Sequence, residues 1–384
     1  MEYFLTEEQK TIKDLARKIA EERVLPVRAE LDETEDFPRA IMKYLADADM
    51  FRVFIPEEYE GLGGGCLELC LVVEELSRVC AAISTCYAVN ALGCYTLIEF
   101  GTEEQKRKYL PDIAAGRRLT AFALTEPTAG SDAGAIKTTA EKVNGGYMLN
   151  GTKQFITNGG EAEIYTVIAL TDKTRGARGA SAIIVEKDTE GFSFGKTEKK
   201  MGIRASATRE LIFRNCFVPE ENLIGREGAG FLMAMKLFDR SRPGIGAQAL
   251  GIAQGALETA VDYTRQRIQF GQPLISLPVV QDILGDMATH IEASRALIYA
   301  AARTVDSGAK NLTEVSAMSK VFASDVAMKV TTDAVQICGG PGYMRDYPLE
   351  KMMRDAKITQ IYEGSNQILR NAIAIETRKR KGRT

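Results

Sequence analysis

The sequence contains no tryptophan and a single histidine, His290, among its 384 residues. Histidine is the commonest side-chain base in enzymes, and the triads of serine and cysteine hydrolases place one beside the nucleophile. His290 lies inside a helical pattern, and nothing near it in the sequence indicates a partnered nucleophile. We therefore expect His290 to be structural, and the usual hydrolase mechanisms are disfavoured.

An excess of positive charge is also missing. Lysine and arginine number 49 against 52 aspartates and glutamates, which gives a net charge of −3. Nucleic-acid-binding proteins usually carry a basic excess on one face, so we expect no nucleic-acid partner. We find no apolar run of the roughly 18 residues that a membrane span needs, and we expect no membrane span.

Cysteines are few and show no metal-binding pattern. The chain has seven, an odd number, and Cys66 and Cys70 form a pair with no second pair downstream. Structural zinc sites usually take four ligands, so we expect no metal site. An odd number of cysteines in a long chain, without a signal-like apolar segment, favours reduced thiols and predicts a cytoplasmic location.

What the chain does contain is a succession of helical, strand-like and again helical patterns. A length of 384 residues predicts two or three domains. Residues 1–118 show helical spacing after a capping box that runs from Thr6 to Gln9, followed by a break or bend at Pro26. Residues 119–226 hold short segments rich in β-branched and aromatic residues between Asn-Gly and Gly-Gly turns, which predicts a small sandwich or barrel.

Residues 227–384 return to helical periodicity and predict a four-helix bundle. The predicted fold class is therefore α+β, with a helical N-terminal domain, a central β-domain and a C-terminal bundle. The first helix of the bundle carries a face of small residues that includes Gly244, Gly251 and Gly255. Such a face allows either close helix packing or a subunit interface, and the sequence leaves both open.

One stretch near the C-terminus carries the functional interpretation. Residues 361–367 read Ile-Tyr-Glu-Gly-Ser-Asn-Gln and lie between two helical patterns. A glutamate beside glycine can present its carboxylate where a backbone passes close to a ligand. The alternative is a solvated glutamate at a helix start, and this stretch alone does not decide between them.

Together with the glycine-rich turn upstream, this stretch resembles the active-site segment of the flavin-dependent acyl-CoA dehydrogenases. The resemblance implies that Glu363 is the catalytic base. It also implies that Tyr362 and Gly364 contact the substrate, while Ser365 and Gln367 contact the cofactor, FAD.

Residues 122–132 and 154–159 carry two further matches. The first is a strand ending in a Pro/Gly turn whose hydroxyls and amides can hold a polar ligand, although an ordinary loop has the same composition. In the family both segments contact the flavin ring, which implies cofactor contacts for Phe122, Leu124, Thr125, Ser131, Phe155 and Thr157. Ser131 is also implied to bind the pantetheine–pyrophosphate arm of acyl-CoA. Many members have tryptophan where this chain has Phe155, and phenylalanine covers a flavin face without the indole donor.

The remaining matches concern CoA and assembly. Residues 238–243 resemble the family's CoA-binding segment, which implies substrate contacts for Asp239 and Arg242. Some members place the catalytic carboxylate on this helix, but the corresponding residue here is Ser241, which leaves Glu363 as the candidate base. The segments that in the family reach the FAD of a neighbouring subunit imply cofactor contacts for Arg267, Phe270, Gln281, Gln336 and Gly340. Such contacts imply an oligomer, usually a homotetramer built as two dimers.

The resemblance covers essentially the full chain and implies FAD-dependent dehydrogenation of an acyl-CoA to the 2-enoyl-CoA, with N5 of FAD accepting the hydride. No cysteine cluster or nicotinamide fingerprint appears, so we expect an external electron-transferring flavoprotein as the electron acceptor. An enoyl-CoA reductase would use the same atoms in the opposite direction. A non-catalytic helical scaffold of the same fold is the alternative of a different class.

Substrate choice is less sharply indicated. Ser84 stands where glutaryl-CoA dehydrogenases place a carboxylate-binding arginine, which argues against a dicarboxylic acyl group. Ala88, Ala91 and Thr96 are small. If they line the end of the acyl pocket, they leave room for a short-to-medium or compact cyclic acyl chain.

Overall fold

The computed structural model describes residues 3–380, and its N-terminal part is helical. The helices are α1 (Glu7–Ile19), α2 (Arg28–Thr34), α3 (Arg39–Asp47), α4 (Cys66–Val79), α5 (Ala81–Phe100) and α6 (Glu103–Ala114). The predicted capping box opens α1: the Thr6 hydroxyl accepts from the backbone N–H of Gln9, and the Gln9 side chain accepts from that of Thr6. A π-helical turn, Ala20–Val24, extends α1, and Pro26 lies between it and α2.

A single β-sheet follows the helices. Its strands are β1 (Thr120–Ala123), β2 (Thr139–Val143), β3 (Gly146–Thr157), β4 (Ile164–Leu170), β5 (Ala180–Glu186), β6 (Phe192–Thr197), β7 (Thr208–Pro219) and β8 (Leu223–Ile224). They hydrogen-bond in the order β6-β7-β3-β2-β4-β5-β8, and β1 runs parallel to β4. Side chains on one face form an apolar core separate from that of the helices, which includes Tyr147, Leu149, Tyr165, Val167, Ile183, Leu211 and Phe213.

The C-terminal part is again mostly helical. Its elements are α7 (Gly230–Gln266), a short hairpin of β9 (Ile268–Gln269) and β10 (Gln272–Pro273), α8 (Pro278–Asp306), α9 (Thr313–Cys338), α10 (Gly340–Tyr343), α11 (Leu349–Thr359) and α12 (Asn366–Arg380). This helix–sheet–helix order confirms the predicted α+β fold class. The domain boundaries at 118/119 and 226/227 stay predictions, and residues 381–384 of the third predicted domain lie outside the described residues.

Helix α5 corrects one expectation from the sequence. Its length and composition are those of a membrane span, contrary to our expectation that no stretch is long and apolar enough. In the structure, however, 83% of its most apolar window is buried inside the protein. The Asn90 side chain accepts from the backbone N–H of Thr120 at 2.7 Å, and the Thr166 hydroxyl donates to the carbonyl of Gly93 at 2.9 Å. These bonds join α5 to β1 and β4, so α5 is the core helix between the sheet and the other helices.

The small face of α7 packs within the chain. A β-carbon added at Gly251 would lie 2.2 Å from the carbonyl oxygen of Glu74, and one at Gly255 would lie 2.0 Å from that of Arg78. Both carbonyls belong to α4, so the two helix backbones approach more closely than any larger residue would allow. Of the two alternatives left open by the sequence, close helix packing accounts for Gly251 and Gly255.

We expect Gly251→Ala to lower the free energy of unfolding by about 1–3 kcal/mol, because the new methyl group forces α7 away from α4. Chemical denaturation followed by circular dichroism measures this change. Gly285→Ala is the matched control, since Gly285 is an exposed position of α8 where an added β-carbon would meet, among the described residues, no atom within 4 Å beyond the adjacent backbone of α8. Alanine there should leave stability unchanged or raise it by up to about 1 kcal/mol through helix propensity. Equal stability of Gly251→Ala and wild type would contradict the close approach of α4 and α7.

Candidate active site

A cavity of about 270 Å³ lies where α5, the sheet, α7 and the loop between α11 and α12 meet. Most of the predicted site residues line it: Phe122, Leu124, Thr125, Ser131, Phe155, Thr157, Arg242, Tyr362, Glu363 and Gly364. These residues come from four separate stretches of the chain. The structure therefore brings together the segments that the sequence assigned to flavin, to CoA and to catalysis.

Glu363 lies in the loop between α11 and α12 in an unusual backbone conformation. Its φ is 50°, in the left-handed region, and the following Gly364 has φ of 97°. For a residue with a β-carbon this conformation costs about 1–2 kcal/mol, so the surrounding structure must hold it. Part of that support comes from Arg242 of α7, whose Nε donates to the carbonyl oxygen of Glu363 at 3.3 Å. The turn directs the Glu363 side chain to the cavity wall.

Burial and the neighbouring groups act in opposite directions on the Glu363 carboxylate. Burial raises its pKa above the ordinary glutamate range, because desolvation disfavours the charged form. The Ser241 hydroxyl, which donates to Oε2 at 2.6 Å, and the charges of Arg242 and Lys320 act in the opposite direction. A carboxylate with its pKa moved toward neutrality removes a weakly acidic proton more effectively than a solvated one.

Asp239 and Arg242 form a pair beside the cavity. Arg242 Nη1 donates to Asp239 Oδ1 at 3.0 Å, and the Thr313 hydroxyl donates to the other carboxylate oxygen at 2.6 Å. Arg242 lines the cavity, whereas Asp239 stands behind it. In this structure the Asp239 carboxylate binds the Arg242 guanidinium. The expected contact of Asp239 with CoA stays a prediction.

The wall formed by β3 presents an exposed aromatic ring. The pairing of β3 with β7 shifts register between Lys153 and Ile156, and Phe155 within this bulge has a left-handed φ of 58°. Phe155 is consequently 59% exposed although it lines the cavity. A bulge re-aims side chains in this way at the cost of a regular ladder. Thr157 follows it on the same wall.

A buried ion pair braces this wall against the turn after β1. Lys153 is fully buried, and its ammonium donates to Glu126 at 2.8 Å and to the carbonyl of Leu124 at 2.9 Å. The backbone N–H of Gln154 also donates to the carbonyl of Thr125 at 2.8 Å. The two segments that the sequence assigned to flavin are thus held side by side.

Polar side chains form the inner end of the cavity. Gln248 of α7 accepts a hydrogen bond from the Tyr362 hydroxyl and donates to the Thr85 hydroxyl at 2.7 Å. Ser84 lies behind them, within 3.3 Å of the Gln248 amide nitrogen. Along α5 the lining residues are Thr85, Ala88, Val89, Leu92 and Tyr95, whereas Ala91 and Thr96, also expected there, are buried away from the cavity.

The remaining predicted cofactor residues lie outside the cavity. Arg267, Phe270, Gln281, Gln336, Gly340 and Gln367 are exposed, and Ser365 is half-buried beside the Glu363 turn. Phe270 is the extreme case, 89% exposed at the tip of the β9–β10 hairpin. Exposure of this set agrees with contacts to a second subunit, but these roles stay predictions.

Sequence reasoning missed Gln248 and Lys320, and it named Ser241 without giving it a function. For Lys320 a signal was present. Lys320 and Ser324 stand one helical turn apart within a run of small and apolar residues, where a lysine without partners would be costly to bury. Gln248 had no comparable signal, because glutamine is tolerated at both buried and exposed helix positions.

Family models match the chain in the order of its structural parts. The model described as acyl-CoA dehydrogenase, N-terminal domain, matches residues 6–117. The model of the middle domain matches residues 121–216, and that of the C-terminal domain matches residues 228–377.

Known proteins are similar over nearly the whole chain. Acryloyl-CoA reductase (NADH) of Anaerotignum propionicum is 49% identical over 382 residues, which are 99% of this chain and 97% of that protein. Butyryl-CoA dehydrogenase from Megasphaera elsdenii superposes with a TM-score of 0.96 at 44% identity, covering 98% of this chain and 100% of that one. A chain from the structure described as the electron transferring flavoprotein of Acidaminococcus fermentans superposes with a TM-score of 0.95 at 50% identity, covering 97% and 98%.

We expect Ser241→Ala to raise the pKa of Glu363, because the lost hydrogen bond favours the ionised carboxylate. Difference infrared spectroscopy over a pH series, with Glu363→Gln to identify the carboxyl band, measures this change. The protonated band should persist to higher pH in Ser241→Ala than in wild type. Ser241→Thr keeps the hydroxyl and is the control. A Glu363 titration unchanged by Ser241→Ala would show that this hydrogen bond does not hold the carboxylate.

Proposed function

The chain belongs to the acyl-CoA dehydrogenase family and is an oxidoreductase, as the motif resemblance implied, and on this premise we propose that it interconverts a short-chain acyl-CoA and its 2-enoyl-CoA with Glu363 as the base. The observation that carries the proposal is the position of the Glu363 carboxylate. It lines the same cavity as Phe155 and Thr157, the residues assigned to the flavin wall. A thioester bound between them would have the base on one side and the cofactor on the other.

The chemistry required of the protein is proton removal next to a thioester. Glu363 takes the proton from Cα, and negative charge then develops on the thioester oxygen. The backbone N–H of Glu363 is our candidate donor to that oxygen, as in an oxyanion hole. The acyl chain displaces water as it enters, which raises the pKa of the half-buried Glu363 further and strengthens it as a base.

The residues of the sheet wall fit a flavin. An exposed aromatic side chain held in a left-handed bulge offers a flat apolar face, and the hydroxyl-bearing Thr125, Ser131 and Thr157 line the same cavity. FAD bound there would supply the acceptor for the hydride that leaves Cβ. We propose that Phe155 covers one face of its ring and that Arg267 and Phe270 reach the FAD of a neighbouring subunit.

The polar inner end of the cavity limits the acyl chain. Gln248, Tyr362 and Thr85 are joined by hydrogen bonds, so a longer chain would have to break them and leave buried polar groups unpaired. This favours a short acyl group over a medium one. Two similar proteins, acryloyl-CoA reductase and butyryl-CoA dehydrogenase, are named for short acyl groups. Their names agree with a cavity whose inner end is closed by polar side chains.

The direction of the reaction and the electron acceptor rest on the comparisons. One similar protein is named as a reductase and another as a dehydrogenase, and the same residues serve both directions. We propose an electron-transferring flavoprotein as the partner, supported by the similarity to a chain from a structure described by that flavoprotein. Rapid reoxidation by air with stoichiometric peroxide would instead indicate an oxidase.

We also propose a homotetramer built as two dimers. Many exposed apolar side chains lie in the C-terminal helical part, among them Ile268, Phe270, Val279, Tyr343, Met344, Ile361, Ile368 and Ile375. Contiguous exposed apolar residues are typical of protein interfaces, and Ile268 and Phe270 lie together on the β9–β10 hairpin.

The function is tested by anaerobic bleaching of the flavin with acyl-CoA. We expect Glu363→Gln to keep flavin and acyl-CoA binding, because the amide keeps the shape of the side chain. The bleaching rate should fall by more than the roughly 10²–10⁴-fold that a general base contributes, because the amide has no basicity. Glu104→Gln, at an exposed position of α6, is the control and should bleach like wild type. A Glu363→Gln protein that bleaches within tenfold of wild type would refute the assignment of the base.

Acyl-chain length is tested by Gln248→Ala. Removal of this side chain opens the inner end of the cavity, so we expect kcat/KM for octanoyl-CoA relative to butyryl-CoA to increase by at least about tenfold. Leu232→Ala, an exposed position on the same helix, should leave the ratio unchanged. An unchanged ratio in Gln248→Ala would mean that another feature limits the chain.

A further inference from the structure

A lysine is buried directly behind the Glu363 turn. Lys320 of α9 is 0% exposed, and its ammonium donates to the carbonyl oxygen of Gly364 at 2.8 Å and to the side-chain oxygen of Asn366 at 3.0 Å. A charged group removed from water in this way is retained only where its hydrogen bonds and neighbouring charges compensate. Lys320 therefore has specific partners, and one of them is the backbone of the turn.

Lys320 and Arg242 hold the turn from two helices. Arg242 of α7 donates to the carbonyl of Glu363, and Lys320 of α9 donates to the carbonyl of Gly364. These are the peptide groups on either side of Gly364. Because both planes are restrained by cationic donors, the left-handed conformations of Glu363 and Gly364 are restrained as well.

The end of the same loop is fastened to the helix that carries Lys320. The Asn366 amide donates to the Ser324 hydroxyl at 2.9 Å and to Asp325 at 2.8 Å, and the Gln360 amide donates to Asp325 at 2.6 Å. Ser324 lies one turn after Lys320 on α9. The face of α9 that carries these residues therefore contacts the loop before and after Glu363.

We propose that Lys320 is a positioning residue for the reaction: through the carbonyl of Gly364 and through its charge it holds Glu363 in the orientation and ionisation state needed for proton transfer. This inference rests on the proposed function of Glu363. It assigns to Lys320 no contact with substrate or cofactor, since Lys320 lies behind the turn and does not line the cavity.

The charges that act on Lys320 come from the loop, its own helix, α7 and α12. Glu363 of the loop and Asp325 of its own helix are acidic, while Arg242 of α7 and Arg370 of α12 are basic. Burial lowers the pKa of Lys320 to about 7, and the charge of Glu363 opposes that decrease. Below this pH the ammonium is charged, and its field lowers the pKa of Glu363. Removing the charge should accordingly raise the pKa of Glu363.

The test compares Lys320→Met with wild type in stopped-flow bleaching of the flavin by butyryl-CoA over a pH series. Methionine keeps the apolar length of the side chain but removes both the donor and the charge. We expect the limiting rate to fall by between about 10- and 100-fold, as for a misplaced catalytic group, while the substrate concentration at half-maximal rate changes less than about twofold. A base must be ionised to act, so the rate is lost as pH falls through its pKa. The acid limb should therefore move to higher pH.

Lys329→Met is the matched control. Lys329 lies on the same helix, is exposed, and pairs with Asp286 and Asp333 away from the cavity. It should bleach like wild type with an unchanged pH profile. Lys320→Gln, which keeps an N–H donor without the charge, should show a smaller loss of rate than Lys320→Met and the same direction of pH shift.

The outcomes separate this inference from the proposed function. If wild type is not bleached by any acyl-CoA, the proposed function itself fails. If wild type is bleached and Lys320→Met matches it in rate and pH profile, Lys320 has no positioning role. If both Lys320 variants lose flavin or fail to fold, or if they lose rate without a pH shift, Lys320 is a residue of the scaffold and the proposal is overturned.

Discussion

The candidate site depends on a left-handed turn at Glu363 that the local sequence does not stabilise. A residue with a β-carbon disfavours this conformation, and the glycine after it is flexible rather than restraining. The turn is held from outside, by Arg242 on α7 and Lys320 on α9, each bonded to one of its carbonyl groups. The orientation of the proposed base is therefore a property of the helix bundle.

The charges around Glu363 serve two opposing requirements. Burial raises the pKa of Glu363, while the Ser241 hydroxyl and the charges of Arg242 and Lys320 limit that rise. Each cation has its own compensation: Arg242 pairs with Asp239, and Lys320 lies among carbonyl and amide oxygens. Each cation thus keeps its own partners, and the two restrain the Glu363 turn independently.

The sheet wall of the cavity also contains a buried charged residue that has its own partner. Beside the bulge that exposes Phe155, Lys153 is buried in an ion pair with Glu126. This pair ties β3 to the turn after β1, and α5 and α7 close the space between the sheet wall and the Glu363 turn. The glycines that let α7 approach α4 fix where α7 lies, and with it the position of Ser241, Arg242 and Gln248.

The sequence by itself determined the α+β architecture, because helical periodicity and turn residues are local properties of the chain, and the order of several motifs carried the resemblance to the family. The resemblance of its Tyr-Glu-Gly-Ser step to the family's active-site segment also pointed to Glu363. Only the tertiary structure decided what surrounds that carboxylate. Ser241, Gln248 and Lys320 lie 122, 115 and 43 residues before Glu363 in the chain, so no local pattern links them to it. Their effect on its pKa and on the cavity arises from desolvation and short contacts, which exist once the helices have packed together.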